Sequence, residues 1–250
     1  MLPAHHRLGV AKVVESGRIG SMDLLGLLKM LDNLKHLKRR GWVDFHVPEP
    51  ETVACHMYRM AVLTMTIEDS SLDLSRCLRM ALIHDLGEAI VGDITPRCGV
   101  PSDVKHRMEE KATFSLNLFK FKRLNFFTFP LIEFIFKAMI EICQMVPEVC
   151  GNDWLALWRE YEEGRTKEAN AVKQLDKFDF IAQAFEYEQK YNMDFEEFFE
   201  STRNSFNSEP FMTWRDDLLR QRMEWKKVNT ISDGTTVDDS DSLLPQEFFN

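Results

Sequence analysis

Paired cysteine is absent from this chain. Its five cysteines (Cys55, Cys77, Cys98, Cys143, Cys150) are odd in number and form no CxxC pair. Neither a disulfide framework nor a zinc knuckle follows, and a reducing compartment is expected. Clustered cations are also scarce. The formal net charge is −9, and the one dense basic run is Lys35-His36-Leu37-Lys38-Arg39-Arg40. A broad surface for nucleic-acid backbone is thereby excluded, because such surfaces need many cations to release counterions. A small anionic ligand stays open, since one or two local cations and a metal suffice. The longest apolar run, 126–142, is broken by Pro130, Glu133, Lys137 and Glu141, whereas a spanning helix needs roughly 20 predominantly apolar residues. Met1-Leu2-Pro3-Ala4-His5-His6-Arg7 lacks the charged-then-apolar layout of a secretory signal. A cytoplasmic protein with no membrane and no nucleic-acid partner is the expectation. No convincing alternation of apolar and polar residues occurs either, so the fold class predicted is all-α.

Hydrophobic residues make up 44 % of the 250 and charged residues 28 %, which suits one globular domain with tails. Leu24, Leu25, Leu27, Leu28, Leu31, Leu34 and Leu37 draw a helical stripe over 22–40, stopped by Gly41. Two prolines and no periodicity make 42–50 a loop. A helix over 51–68 places Val53, Met57, Met60, Ala61 and Met65 on its buried side, and Asp73 or Ser75 caps a third helix running through His84 and Leu86. Gly87 and Gly92 bracket a break before the turn Asp93-Ile94-Thr95-Pro96. Further helices are predicted over 102–118, 152–162, 167–191, 194–206 and 209–227. Residues 1–21 read as a flexible tail, 22–227 as the domain, and the Asp/Ser/Thr-rich stretch 228–250 as a disordered acidic tail.

His84-Asp85 closes the apolar helix Arg79-Met80-Ala81-Leu82-Ile83. Imidazole and carboxylate both suit a divalent ion of intermediate hardness, and a metal removes the cost of burying an unpaired Asp. Alone the dipeptide is weak evidence, since a capping Asp needs no ion. His56, in a separate helix, reads equally as a hydrogen-bonded core histidine. Asp176 lies in Val172-Lys173-Gln174-Leu175-Asp176-Lys177-Phe178-Asp179, where a solvated helix face is the bland alternative. Asp179, three residues on, reads as a decoy whose change to Asn is expected to be mild. Glu88 follows His84 by four residues, on the same face if the helix continues, and Asp93 comes soon after.

The order His56, then His84-Asp85, then Asp176 resembles the HD-domain metal-dependent phosphohydrolases. Gly41-Trp42-Val43, Pro50-Glu51-Thr52-Val53-Ala54-Cys55-His56, Ala81-Leu82-Ile83-His84-Asp85-Leu86-Gly87-Glu88, Ile90-Val91-Gly92-Asp93-Ile94 and Lys173-Gln174-Leu175-Asp176 are similar to the YfbR-like 5′-deoxynucleotidase group of that family. The resemblance implies an HD-domain helical bundle in which His56, His84, Asp85 and Asp176 hold a divalent cation (Mn, Co, Mg or Zn). Glu88 is implied to orient the nucleophile or shuttle a proton, and Asp93 to lie near the ribose. Alternatively Glu88, Asp93 and the carbonyl of Ile94 hold a second cation. A cation before Trp42 is implied to grip phosphate, and Trp42 and Ile94 are implied to contact the substrate. Arg39 and Arg40 are the candidates, unless both merely favour a helix C-terminus, and Arg59 is a weaker one with a salt-bridge role. The implied activity is hydrolysis of deoxyribonucleoside 5′-monophosphates by a homodimer. The alternatives are another nucleotide (a triphosphate, a cyclic nucleotide or ppGpp) or a non-catalytic helical binding module. The chain departs from the group over 119–145, an atypical insertion rich in Phe, Ile, Leu, Lys and Asn. It is expected to be translated intron or, if genuine, a surface patch or oligomer contact.

Overall fold

Short polar side chains set the helix starts. In the computed structural model, which describes residues 22–94 and 129–232, Asp23 caps α1 (Leu24–His36), and Thr52, past a short α2 (Arg40–Asp44), caps α3 (Val53–Thr64). Asp73 caps α4 (Leu74–Ile83). After α5 (Glu88–Val91), α6 (Phe129–Cys143) and α7 (Glu148–Glu163), Thr166 caps α8 (Lys167–Tyr191). Each of the four caps accepts a first-turn amide, from Gly26 at 3.0 Å, Cys55 at 3.2 Å, Arg76 at 2.9 Å and Ala169 at 3.1 Å, satisfying donors the helix itself leaves open. The series closes with α9 (Glu196–Thr202) and α10 (Phe211–Ser232). Among the described residues there is no strand, only the isolated antiparallel pairing of Lys38 with Thr52. The all-α expectation holds. No helix among these residues is long and apolar enough to cross a membrane.

The spine is α8. Its 25 residues span about 37 Å at the usual helical rise, and α3, α4, α7, α9 and α10 all pack against it. The buried faces of a helix are normally apolar, yet Glu168, Gln174, Asp176, Asp179, Gln183 and Glu188 are all buried here. Partners explain them. Glu168 accepts the Asp73 amide at 3.1 Å, Gln174 accepts those of Asn207 and Ser208 at 2.7 and 3.1 Å, and Glu188 binds Arg222 at 2.6 Å. Asp176, Asp179 and Gln183 share the face turned toward the site.

Several elements differ from their sequence reading. The first helix stops at His36, because residues 37–39 run extended against the start of α3. There the Arg39 amide donates to Glu51 at 3.0 Å and the Val53 amide to Leu37 at 2.9 Å. The expected loop 42–50 begins inside α2, which forms because Trp42 is drawn into the core. The next helix ends at Thr64 rather than 68. At the far end α10 reaches Ser232, past the point where the acidic tail was expected to begin. The tail 1–21, the helix predicted over 102–118 and residues 233–250 lie outside the described residues.

The region read as a foreign insertion is, over its second half, part of the core. Ala138, Met139 and Ile142 are buried, and Phe136 stacks on Trp158 at 5.7 Å. At the crossing of α6 and α7 a Cβ on Gly151 would come 2.3 Å from the Cys143 carbonyl oxygen, so only glycine lets these backbones meet. A stretch unrelated to the fold would not be accommodated so closely.

Candidate metal centre

Three helices bring four side chains close together. His56 comes from the first turn of α3, His84 and Asp85 from the end of α4, and Asp176 from the middle of α8. Ligand atoms of His56, His84 and Asp85 all lie within 4.8 Å of one another. Nε2 of His84 is 3.1 Å from Asp85 Oδ2, and Nε2 of His56 is 3.8 Å from that oxygen and 3.3 Å from Asp176 Oδ1.

The ring orientations test whether a cation fits. Nδ1 of His56 lies 2.6 Å from Asp179 Oδ2, and Nδ1 of His84 lies 2.9 Å from the Ala81 carbonyl oxygen. Both neighbours only accept, so in each neutral ring the proton sits on Nδ1 and Nε2 presents a lone pair. Both Nε2 atoms are buried without a hydrogen-bond partner. Lone pairs thus face carboxylate oxygens across a small gap, an arrangement that a positive ion relieves. Protonation is the other way to relieve it. Burial and Arg39 push the His56 imidazole down, but Asp176 and Asp179 outweigh them and hold it up to about 9. Asp85 is pulled down to about 2 despite its burial, by His84, His56 and Arg39. The donor set fits a divalent cation.

Further groups ring the centre. On Asp176, the second oxygen accepts from Lys177 Nζ at 2.7 Å and from the Tyr161 hydroxyl at 3.5 Å. Arg39 Nη1 reaches Asp85 Oδ2 at 3.5 Å. Glu88 begins α5 directly after the His84–Gly87 turn, and its Oε2 is buried without a partner. Burial first, then Asp85 and Asp93, push this carboxyl up to about 11. Gly92 adopts φ +81, a conformation glycine reaches without strain, and this turns Asp93 back so that its Oδ2 accepts the Arg40 amide at 2.7 Å.

Comparison with known proteins places this arrangement. The HD domain family matches residues 31–121 and 136–212. This chain belongs to the HD domain family. The 5′-deoxynucleotidase HDDC2 of Homo sapiens is 37 % identical over 205 residues, 81 % of this chain and 88 % of that protein. The 5′-deoxynucleotidase hdd1 of Schizosaccharomyces pombe is 36 % identical over 83 % of this chain and 95 % of its own length. A structure described as a predicted metal-dependent phosphohydrolase from Magnetospirillum magnetotacticum superposes with a TM-score of 0.55 at 19 % identity, covering 81 % of this chain and 94 % of that one; it shares the fold. The break in the family match, 122–135, is narrower than the 119–145 expected from sequence, in keeping with the packing of α6.

Within this HD domain some expected site residues take other places. The Trp42 ring, expected at the substrate, is enclosed. It stacks on Phe180 at 5.1 Å, meets Tyr187, Phe195 and Phe198, and donates from Nε1 to Glu51 at 3.1 Å. Its part is to fix the backbone that carries Arg39. Arg40 turns away from the centre, with Nε on Asp44 at 2.6 Å. Ile94 is half-buried at the edge of the described segment. Arg59 is no phosphate ligand: its guanidinium joins Asp179, Glu51 and Gln183. That bridge already brings positive charge to the Glu51–His56–Asp179 cluster.

Sequence reasoning missed Asp179, which is fully buried on His56 rather than solvated. The available signal was its spacing. Asp176 and Asp179 are three apart on one helix and therefore share a face, so a partner that buries the first buries the second.

Proposed function

We propose that this chain hydrolyses deoxyribonucleoside 5′-monophosphates to deoxynucleoside and phosphate, using a divalent cation held by His56, His84, Asp85 and Asp176. The observation that carries the reading is the pair of buried, unpartnered Nε2 atoms facing two carboxylates, beside a guanidinium. Its substrate class is supported by 37 % identity to a protein named a 5′-deoxynucleotidase. Bound there, a divalent cation (Mn, Co, Mg or Zn) supplies a nucleophile near neutral pH and compensates charge on phosphoryl oxygens.

The chain's own groups do the rest. Arg39 offers planar donors matched to phosphate oxygens and is held at the rim by Asp85. Glu88 is the proton-handling group: its orphaned oxygen is free to orient a water, and its environment resists ionisation. Asp93, fixed by the Arg40 amide, meets the 3′-hydroxyl of the sugar. A homodimer is proposed as well, supported by the exposed apolar side chains Leu25, Leu28, Leu31, Tyr58 and Leu82 on α1, α3 and α4. Purified protein is to be screened for phosphate release from deoxy- and ribonucleoside 5′-monophosphates with each metal. Release from the deoxy series after metal addition supports the reading, and no release from any of them overturns it.

A further inference from the structure

We infer that Lys177 sets how tightly the metal centre holds its cation, by tying up one oxygen of Asp176. The carboxylate is thereby limited to a single ligand oxygen, which weakens the site's grip and disfavours large ions most. The inference rests on the reading of His56, His84, Asp85 and Asp176 as the ligand set, and adds a residue that works against them.

The two oxygens of Asp176 have different neighbours. Oδ1 lies 3.3 Å from Nε2 of His56. Oδ2 accepts from Lys177 Nζ at 2.7 Å and from the Tyr161 hydroxyl at 3.5 Å. Asp85 is arranged otherwise. Its Oδ2 lies nearest both imidazoles, and Arg39 approaches that same oxygen at 3.5 Å. At Asp176 the cation and the imidazole take separate oxygens.

Helical geometry does not put the lysine there. Consecutive residues of a helix do not face one another, so Lys177 curls its stem back to reach its neighbour. The residues three and four away, Lys173, Gln174, Phe180 and Ile181, include no acid, and Asp179 is already bridged by Arg59. Room for the stem comes from the cavity between α2, α8 and α9, which Lys177 lines. The charge of Asp176 is what holds it.

Charge acts on affinity first. An ammonium beside a ligand oxygen repels a dication and makes the carboxylate a weaker electron-pair donor. Asp179 does the opposite to His56, whose donor strength it raises. The number of oxygens offered acts next. Ca²⁺ gathers about 6–8 oxygens and often takes both from one carboxylate, whereas smaller ions such as Mg²⁺ and Zn²⁺ accept fewer. With Oδ2 tied to Lys177, the larger ion loses more. The ion stays exchangeable, and turnover follows the free metal concentration over a range that Lys177 sets.

Lys177→Met keeps an apolar stem and removes the ammonium from a side chain that is 47 % exposed. Chelator-treated wild type, Lys177→Met and Lys177→Arg, each as the full chain, are titrated calorimetrically with Mn²⁺ and with Ca²⁺. Phosphate release is followed against free Mn²⁺ alongside. Expected for Lys177→Met are Mn²⁺ binding tightened at least about tenfold, Ca²⁺ binding tightened by a larger factor, and half-maximal release at lower free Mn²⁺. Lys177→Arg, which keeps the charge and the donors, should stay close to wild type. Lys177→Ala takes the place of Lys177→Met should that variant not fold. Mn²⁺ binding that is unchanged or weaker, or a gain no larger for Ca²⁺ than for Mn²⁺, overturns the inference. Wild-type protein that binds no Mn²⁺, or an Asp176→Asn variant that binds it as well as wild type, overturns the ligand set instead.

Discussion

Asp179 Oδ2 lies 2.6 Å from Nδ1 of His56, and both side chains are fully buried. The carboxylate accepts a hydrogen bond from Nδ1–H and leaves the opposite nitrogen as an electron-pair donor toward Asp85 and Asp176. Arg59 holds the same carboxylate from its other side, and burial of Asp179 is outweighed by Arg59 and His56, which pull it down. Asp179 thus stays charged and the ring stays oriented.

Asp179→Asn is accordingly expected to weaken metal affinity by about 10–100-fold, with turnover recovering at high metal. Activity measured against metal concentration checks this. A metal dependence identical to wild type would mean that the ring needs no such partner.

Asp85→Ala removes a proposed ligand with its charge, and Asp176→Asn removes the charge of another. Both are expected to strip the metal and lower turnover by at least about 10²–10³. Chelation of the wild type should do the same, reversed by adding the ion back. Elemental analysis beside phosphate release decides it; full metal occupancy in Asp85→Ala would contradict the ligand set.

Glu88→Gln keeps the shape of the side chain and removes its proton exchange. Metal content is expected to stay, and kcat to fall by about 10²–10⁴. Loss of the metal along with activity would instead make Glu88 a ligand.

Arg222 binds the fully buried Glu188 at 2.6 Å and also reaches Glu196 at 2.9 Å. Arg222→Leu leaves the Glu188 carboxylate buried without its cation, which is expected to cost about 3–5 kcal/mol. Urea unfolding reads this as a lower midpoint with little change in slope. Unchanged stability would mean that α10 is held by its apolar contacts alone.

What was legible in the sequence is what lies close together in it or repeats. His84-Asp85, the Glu88 spacing and the turn to Asp93 occupy one short stretch, and the resemblance tied His56 and Asp176 to them. The helices with caps and apolar stripes were readable too. Hidden were the features decided by partners from elsewhere in the chain. The buried polar residues of α8 look solvated until Arg59, Arg222 and the Asn207 and Ser208 amides are placed against them. Trp42 makes a helix of a proline-flanked segment only because four aromatic rings from α8, α9 and the preceding turn surround it. Segment 136–145 looked foreign by composition, and its close fit at Gly151 was visible only in three dimensions.

The pairing of Lys38 with Thr52 ties Arg39 to the helix that carries His56. The group proposed to grip the anion and the group proposed to grip the ion then travel as a single piece. A one-residue slip at these anchors would uncouple the two tasks.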